Sequence, residues 1–131
     1  MAAPFTIKRI DEMEASFLGS FKRARAELGV TSFGMAVIDL PPNNDLYPEH
    51  DHADDGQEEV YFALSGSGEI EIEGERHPLT TEAMIRVGPG VKRKVFTGDS
   101  PLRMLVLGGT PGALYEPGPN SELGVPDPMA R

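Results

Sequence analysis

Short apolar or alternating runs, each closed by a glycine- or proline-rich turn, recur along the middle of this chain and constrain its fold most tightly. The runs fall at 32–40, 59–64, 69–73, 83–87, 91–96 and 102–107. Between them stand PPNNDLYP, SGSG, a turn at Gly74, GPG and GDSP. Runs this short, with turn residues at this spacing, predict an all-β antiparallel sandwich or jelly-roll barrel of two sheets rather than a helical or doubly wound fold. The stretch FKRARAELG predicts one short N-terminal helix over 21–28, ended by Gly29. At 131 residues the chain matches one domain, with a barrel core over about 30–108. From 109 to 131 it is rich in proline and glycine and lacks periodicity, which predicts an extended tail wrapping the domain and fraying at its end.

Metal-competent side chains cluster at the head of one run. His50 and His52 are two residues apart, and alternate residues of an extended segment face the same way. Glu59 opens the next strand, with Tyr61 and Ala63 on its face and Val60, Phe62 and Leu64 on the other. If the loop 53–58 folds the chain back, His50, His52 and Glu59 converge. Two imidazoles and a carboxylate suit a mid-row divalent metal such as Fe, Mn, Ni, Cu or Zn, with positions left open for water or substrate. The bland alternative is a polar strand end with solvated histidines.

Here the chain resembles the cupin superfamily. The cupin first motif places His-x-His after a glycine turn, then a glutamate, then a strand closed by glycine. His50, His52, Glu59 and Gly66 match, with six residues between Glu59 and Gly66. The leading glycine is replaced by Asn44, which can also take a left-handed turn. The gap from His52 to Glu59 is two residues longer than the usual pattern. In the second motif Gly90 is kept, while Glu82, Gly88, Arg93 and Thr97 depart from the pattern, and Arg93 stands where a fourth ligand, a histidine, belongs. The resemblance covers about residues 33–108 and implies a cupin barrel. It also implies oxygenase, isomerase or decarboxylase chemistry without choosing among them.

Arg93 shares a strand face with the apolar Val91 and Val95, which predicts an inward, partly buried guanidinium. Such a charge needs a partner, and Glu59 is the obvious one. Arginine cannot deprotonate to become a ligand. Arg93 either pairs with Glu59 and competes with a metal, or grips an anionic ligand through a carboxylate or phosphate. Tyr61 should line the same cavity and offer its hydroxyl, or serve as a core tyrosine satisfied at the rim. Met35 reads as core filler that could line the cavity. His77, beside Pro78 at a hairpin end, reads as exposed and unrelated to the site.

The net charge of −9 disfavours nucleic acid and anionic membranes as partners. Lys22-Arg23-x-Arg25 reads as a solvated helix face, and Lys92 and Lys94 face away from Arg93. With no cysteine, disulfides, zinc fingers and thiol nucleophiles are excluded. No apolar stretch has membrane-span length and the N-terminus lacks a signal-peptide pattern, so a cytoplasmic location is expected by default. Strand 59–64 is apolar on both faces, so its outer face needs cover from the N-terminal segment, the tail or a second subunit, and a homodimer is expected. Two functions follow. One is a cupin that binds a divalent metal, a small anionic ligand or both, its reaction unassigned and its status as an enzyme open. The other is a metal-free cupin serving as a small-molecule-binding, sensor or structural module, with a Glu59–Arg93 pair in its cavity.

Overall fold

The computed structural model describes residues 4–129, so Ala130 and Arg131, where the tail is expected to fray, lie outside the described residues. A 3-10 turn at Ile10–Glu12 leads into two short strands, β1 (Ala15–Ser16) and β2 (Phe21–Lys22), and then the helix α1 (Ala24–Leu28). Seven strands follow: β3 (Gly34–Leu40), β4 (Glu58–Gly66), β5 (Gly68–Ile72), β6 (Glu75–Leu79), β7 (Met84–Val87), β8 (Arg93–Phe96) and β9 (Leu102–Gly109). They form a six-stranded sheet in the order β1-β2-β3-β9-β4-β7 and a three-stranded sheet in the order β6-β5-β8. Every pairing is antiparallel. This is the expected all-β jelly roll, although the two sheets do not close into a continuous barrel. No helix among the described residues is long and apolar enough to cross a membrane.

Strand alternation builds the core. Ala36, Ile38 and Leu40 of β3, Tyr61 and Ala63 of β4, and Leu102, Met104 and Val106 of β9 point inward against Ile70, Leu79 and Val95 of the smaller sheet. The opposite face of β3 carries Met35 and Val37, which pack with Met13, Ala24 and Leu28 under α1. Met35 is therefore filler on the outer side of the sheet and does not line the cavity.

In the N-terminal segment the structure departs from the sequence expectations at two places. The helix is shorter than 21–28, because Phe21 and Lys22 pair with Ile38 and Val37 as an added strand. Phe21 packs on the main core and Lys22 lies 3.9 Å from Asp39, contacts that a longer helix would forgo. Arg23 and Arg25 are not a solvated face either: they are 2% and 6% exposed. Arg23 Nη1 bonds Glu14 at 2.6 Å, while Arg25 pairs with Glu122 of the tail and donates to the Val30 carbonyl at 3.0 Å.

Polar contacts tie the tail to the N-terminal segment and α1. Besides the Glu122 pairing, Gly124 N–H donates to Glu14 at 2.8 Å. The amides of Phe17 and Leu18, both in the left-handed region, donate to the two carboxylate oxygens of Asp127 at 2.8 and 2.9 Å. These bonds hold the Asp127 carboxyl below its usual range. Asp127→Ala should therefore speed hydrogen exchange at the Phe17 and Leu18 amides while leaving β9 amides protected, as read by deuterium-exchange mass spectrometry or NMR. Unchanged exchange at Phe17 and Leu18 would show that Asp127 does not hold them.

The stretch 65–68 is a corner rather than a hairpin turn. β4 runs to Gly66 in the large sheet, and Gly68 starts β5 in the small one. The Glu73–Gly74 turn is a hairpin as expected, with φ of 49° and 85°, and it delivers β6. β6 contains Pro78, which is tolerated because β6 is an edge strand.

Candidate metal centre

The site lies where the two sheets approach each other at the opposite end of β4 from that corner. His50 belongs to an extended segment docked on β8: its N–H donates to the Arg93 carbonyl at 3.0 Å, and the Arg93 N–H donates back at 2.9 Å. His52 N–H donates to the Pro89 carbonyl at 2.6 Å. After His52 the chain turns through a loop held by its own acidic side chains, with Asp51 accepting from the Ala53 amide at 3.0 Å and Asp55 from the Gln57 amide at 3.1 Å. The loop then enters β4, where Glu59 and Tyr61 share the inward face.

The ring nitrogens are already oriented. His50 Nδ1 lies 3.0 Å from the Pro48 carbonyl, which can only accept, so Nδ1 carries a proton and Nε2 is left facing the site. His52 Nδ1 sits 3.1 Å from the Asp55 carboxylate. The two Nε2 atoms are 3.7 and 3.2 Å from Glu59 Oε1, in the same order. Outer partners of this kind, a carbonyl and a carboxylate, hold metal-binding imidazoles in one tautomer and one orientation. Asp55 was not singled out from the sequence.

His50, His52 and Glu59 each offer a ligand atom, and these atoms all lie within 4.8 Å of one another. An ion bound at about 2.1 Å would set neighbouring ligand atoms about 3.0–3.4 Å apart. The His52–Glu59 edge already fits, and the His50 edges close with a small ring movement. The donor set is therefore one that could hold a divalent ion.

The cross-strand neighbour of Glu59 is a glycine. Gly108 pairs with Glu59, and a Cβ there would meet Gln57 Oε1 at 2.6 Å and Glu59 Cγ at 3.4 Å. Tyr61, 0% exposed, donates its hydroxyl to Glu59 Oε1 at 2.8 Å. Burial pushes the Glu59 carboxyl up, but the two imidazoles, the charge on His52 and the Tyr61 hydroxyl together hold it well below the usual range. The bond to Glu59 raises His52 against the opposing effect of burial, with Glu59 charge and Asp55 adding to the rise. Both tyrosines of the site are pushed up, chiefly by burial, and stay neutral. The second is Tyr47, which sequence reasoning missed. Its hydroxyl is 3.4 Å from that of Tyr61, and its ring centroid is 5.7 Å from that of His50.

Arg93 points inward as its strand parity requires, and it is 0% exposed. Its Nη2 donates to the carbonyls of Gly88 at 3.0 Å and Val87 at 3.4 Å. Its Nε stands 4.0 Å from Glu59 Oε1, within ion-pair range but beyond a hydrogen bond, and Nε and Nη1 have no hydrogen-bond partner. His77 lies on β6, at the far edge of the small sheet from β8, half-exposed and 3.7 Å from Glu75.

The family model for the cupin domain matches residues 36–108. No curated protein matches the chain by sequence. Among solved structures, a cupin protein from Bacteroides fragilis is 24% identical over 89% of this chain and 93% of its own, with a TM-score of 0.69. A protein from Photorhabdus luminescens is 15% identical over 84% and 90%, with a TM-score of 0.63. A DMSP lyase from Ruegeria pomeroyi DSS-3 is 22% identical over 86% of this chain and 59% of its own, at 0.58. At these identities the structural likenesses speak to the fold.

Proposed function

We propose, for a chain that belongs to the cupin family, that it binds a divalent metal ion through His50, His52 and Glu59 and a small anionic ligand beside Tyr61 and Arg93. The observation that carries this reading is the convergence of both Nε2 atoms on Glu59 Oε1, with both Nδ1 atoms already engaged. When bound, such an ion supplies Lewis acidity at its open positions. Of the protein's own groups, Tyr61 holds Glu59 through its hydroxyl, Asp55 and the Pro48 carbonyl orient the imidazoles, and Arg93 supplies a fixed positive charge. Protein purified without chelator should carry a first-row metal or take one up from Fe, Mn, Ni, Cu or Zn. Elemental analysis showing none after reconstitution would overturn the reading.

A second reading is favoured by the 4.0 Å approach of the fully buried Arg93 to Glu59. In it the guanidinium stands in for the metal's charge, and the cavity binds a small molecule without an ion. Failure of every metal in the same analysis would select it.

The raised His52 makes proton release a further test. Metal binds the neutral imidazole, so affinity should climb as pH rises through and above the ordinary histidine value near ~6.5. Binding enthalpies measured in buffers of different ionisation enthalpy should differ by the heat of the released proton. Identical enthalpies in all buffers at about pH 6, below the ordinary histidine value of ~6.5, would mean that His52 gives up no proton to the ion.

For assembly, we propose a homodimer through the outer face of β4 and β7. The helix side of the large sheet is covered by Met13, Ala24 and Leu28. On the same outer face, toward the β7 edge, Leu64 is 37% and Met84 64% exposed, and β7 ends the sheet. Light scattering at tens of micromolar should give twice the 14.2 kDa chain mass, and a monomer mass would refute the dimer.

A further inference from the structure

We infer that the centre takes its metal ion and a small carboxylate together, each raising the affinity for the other, with Arg93 as the second anchor of the carboxylate. This rests on the metal-centre reading above and adds what the site demands of its ligand. Arg93 is 0% exposed, its Nη2 is engaged by two carbonyls, and its Nε and Nη1 have no partner. A guanidinium cannot shed its charge, and a buried one with idle donors is costly to maintain. Glu59 does not relieve it. Its Oε1 already accepts from Tyr61 at 2.8 Å and faces His52 at 3.2 Å, against 4.0 Å to Arg93 Nε.

Charge completes the argument. With neutral imidazoles, a divalent ion and Glu59 together carry +1 beside a fully buried guanidinium, a net +2 for the site. Water at the open positions does nothing for that repulsion. A carboxylate does, because one oxygen can take an open position on the ion and the other can accept from Arg93. Its size is limited as well. Tyr61, Val87, Val95 and Met104 fill the interior at 1% exposure or less, so the ligand stands at the mouth beside the histidines, and Arg93, 0% exposed, must turn its guanidinium toward it. Two open grooves among the described residues, of about 500 and 410 Å³, are lined by other residues. A carboxylate of a few carbon atoms fits this description better than a nucleotide or a sugar.

Acetate serves as the probe and cobalt(II), through its visible spectrum, as the ion. In acetate the cobalt dissociation constant should be at least about ten-fold lower than in chloride at matched ionic strength. Free cobalt is weakly complexed by acetate, which works against this result. By reciprocity, cobalt-loaded protein should bind acetate more tightly by the same factor. Arg93→Gln should bind cobalt equally in both salts. A measurement on wild type guards against misfolding of that variant: the ¹⁵N–¹H resonance of Arg93 Nε should shift when acetate is added to zinc-loaded protein and not to metal-free protein. Equal cobalt affinity in the two salts overturns the inference and leaves the metal reading standing. An acetate effect that persists in folded Arg93→Gln overturns the role of Arg93. No cobalt binding in either salt overturns the metal reading itself.

Discussion

Replacing Gly66 with alanine is expected to cost at least about 3 kcal/mol of folding stability, a large share of the ~5–15 kcal/mol that holds a domain together. Gly66 has φ of +73°, where an L side chain costs about 1–2 kcal/mol. Its environment is worse than its dihedral. A Cβ there would lie 1.9 Å from the Pro101 carbonyl oxygen and 3.0 Å from its carbon. Both are backbone atoms, so no rotamer change can relieve the overlap, and Leu102, which follows, is 2% exposed in the core. The chain must instead move at the corner where β4 leaves the large sheet and β5 begins the small one. Thermal unfolding should fall by about 10 °C or more. Gly74 provides the comparison, since it has φ of +85° with nothing within 4 Å of its Cβ position. Gly74→Ala should cost only about 1–2 kcal/mol. If both variants melt alike, close approach to Pro101 is not what requires glycine at position 66.

The second large effect concerns the metal. His52→Ala removes one of three ligands and should lower affinity by more than about a hundred-fold, because losing even an outer partner of a ligand costs 10–100-fold. Arg93→His should act in the opposite direction. It deletes a cation whose Nε is 4.0 Å from Glu59 Oε1 and supplies an imidazole on the same inward position of β8. Affinity for nickel or zinc should rise by about ten-fold or more, equivalent to at least ~1.4 kcal/mol. The gain should grow as pH rises through about 6.5, since only the neutral imidazole coordinates. Isothermal titration of wild type and both variants near neutral pH measures all of this. Equal affinity for wild type and Arg93→His would place the side chain at position 93 out of reach of the ion.

Strand parity made much of the site legible before the structure. It places Glu59 and Tyr61 on one face, and it turns Arg93 inward with Val95 although lysines flank it. What parity could not supply was contact between distant segments. Arg23 and Arg25 look like surface charges in a run of basic residues, yet the tail residue that pairs with Arg25 lies 97 positions away. The sequence predicts a helix start three residues too early, because nothing in FKRARAEL reveals that the edge of β3 is free to pair with Phe21 and Lys22. Tyr47 escaped because it is out of phase with His50 and His52, and Pro48 between them resets the backbone direction. Asp55 escaped because, within an acidic loop, only the fold shows which carboxylate reaches an imidazole.

The docking of His50 on β8 has a mechanical consequence. His50 and His52 ride on the edge of the small sheet, while Glu59 belongs to the large one. At the far end of β4 the two sheets are joined covalently, through the single residue Ser67 between Gly66 and Gly68. At the near end the connections are longer, through residues 53–57 from His52 into β4 and through 88–92 from β7 into β8. An ion seated between the histidines and Glu59 would therefore act as a clasp across the end of the sandwich where these longer connections run. Whatever tightens that clasp stabilises the native state by RT ln(1 + L/Kd), with L the free ion concentration, so the fold itself becomes a gauge of what the site holds.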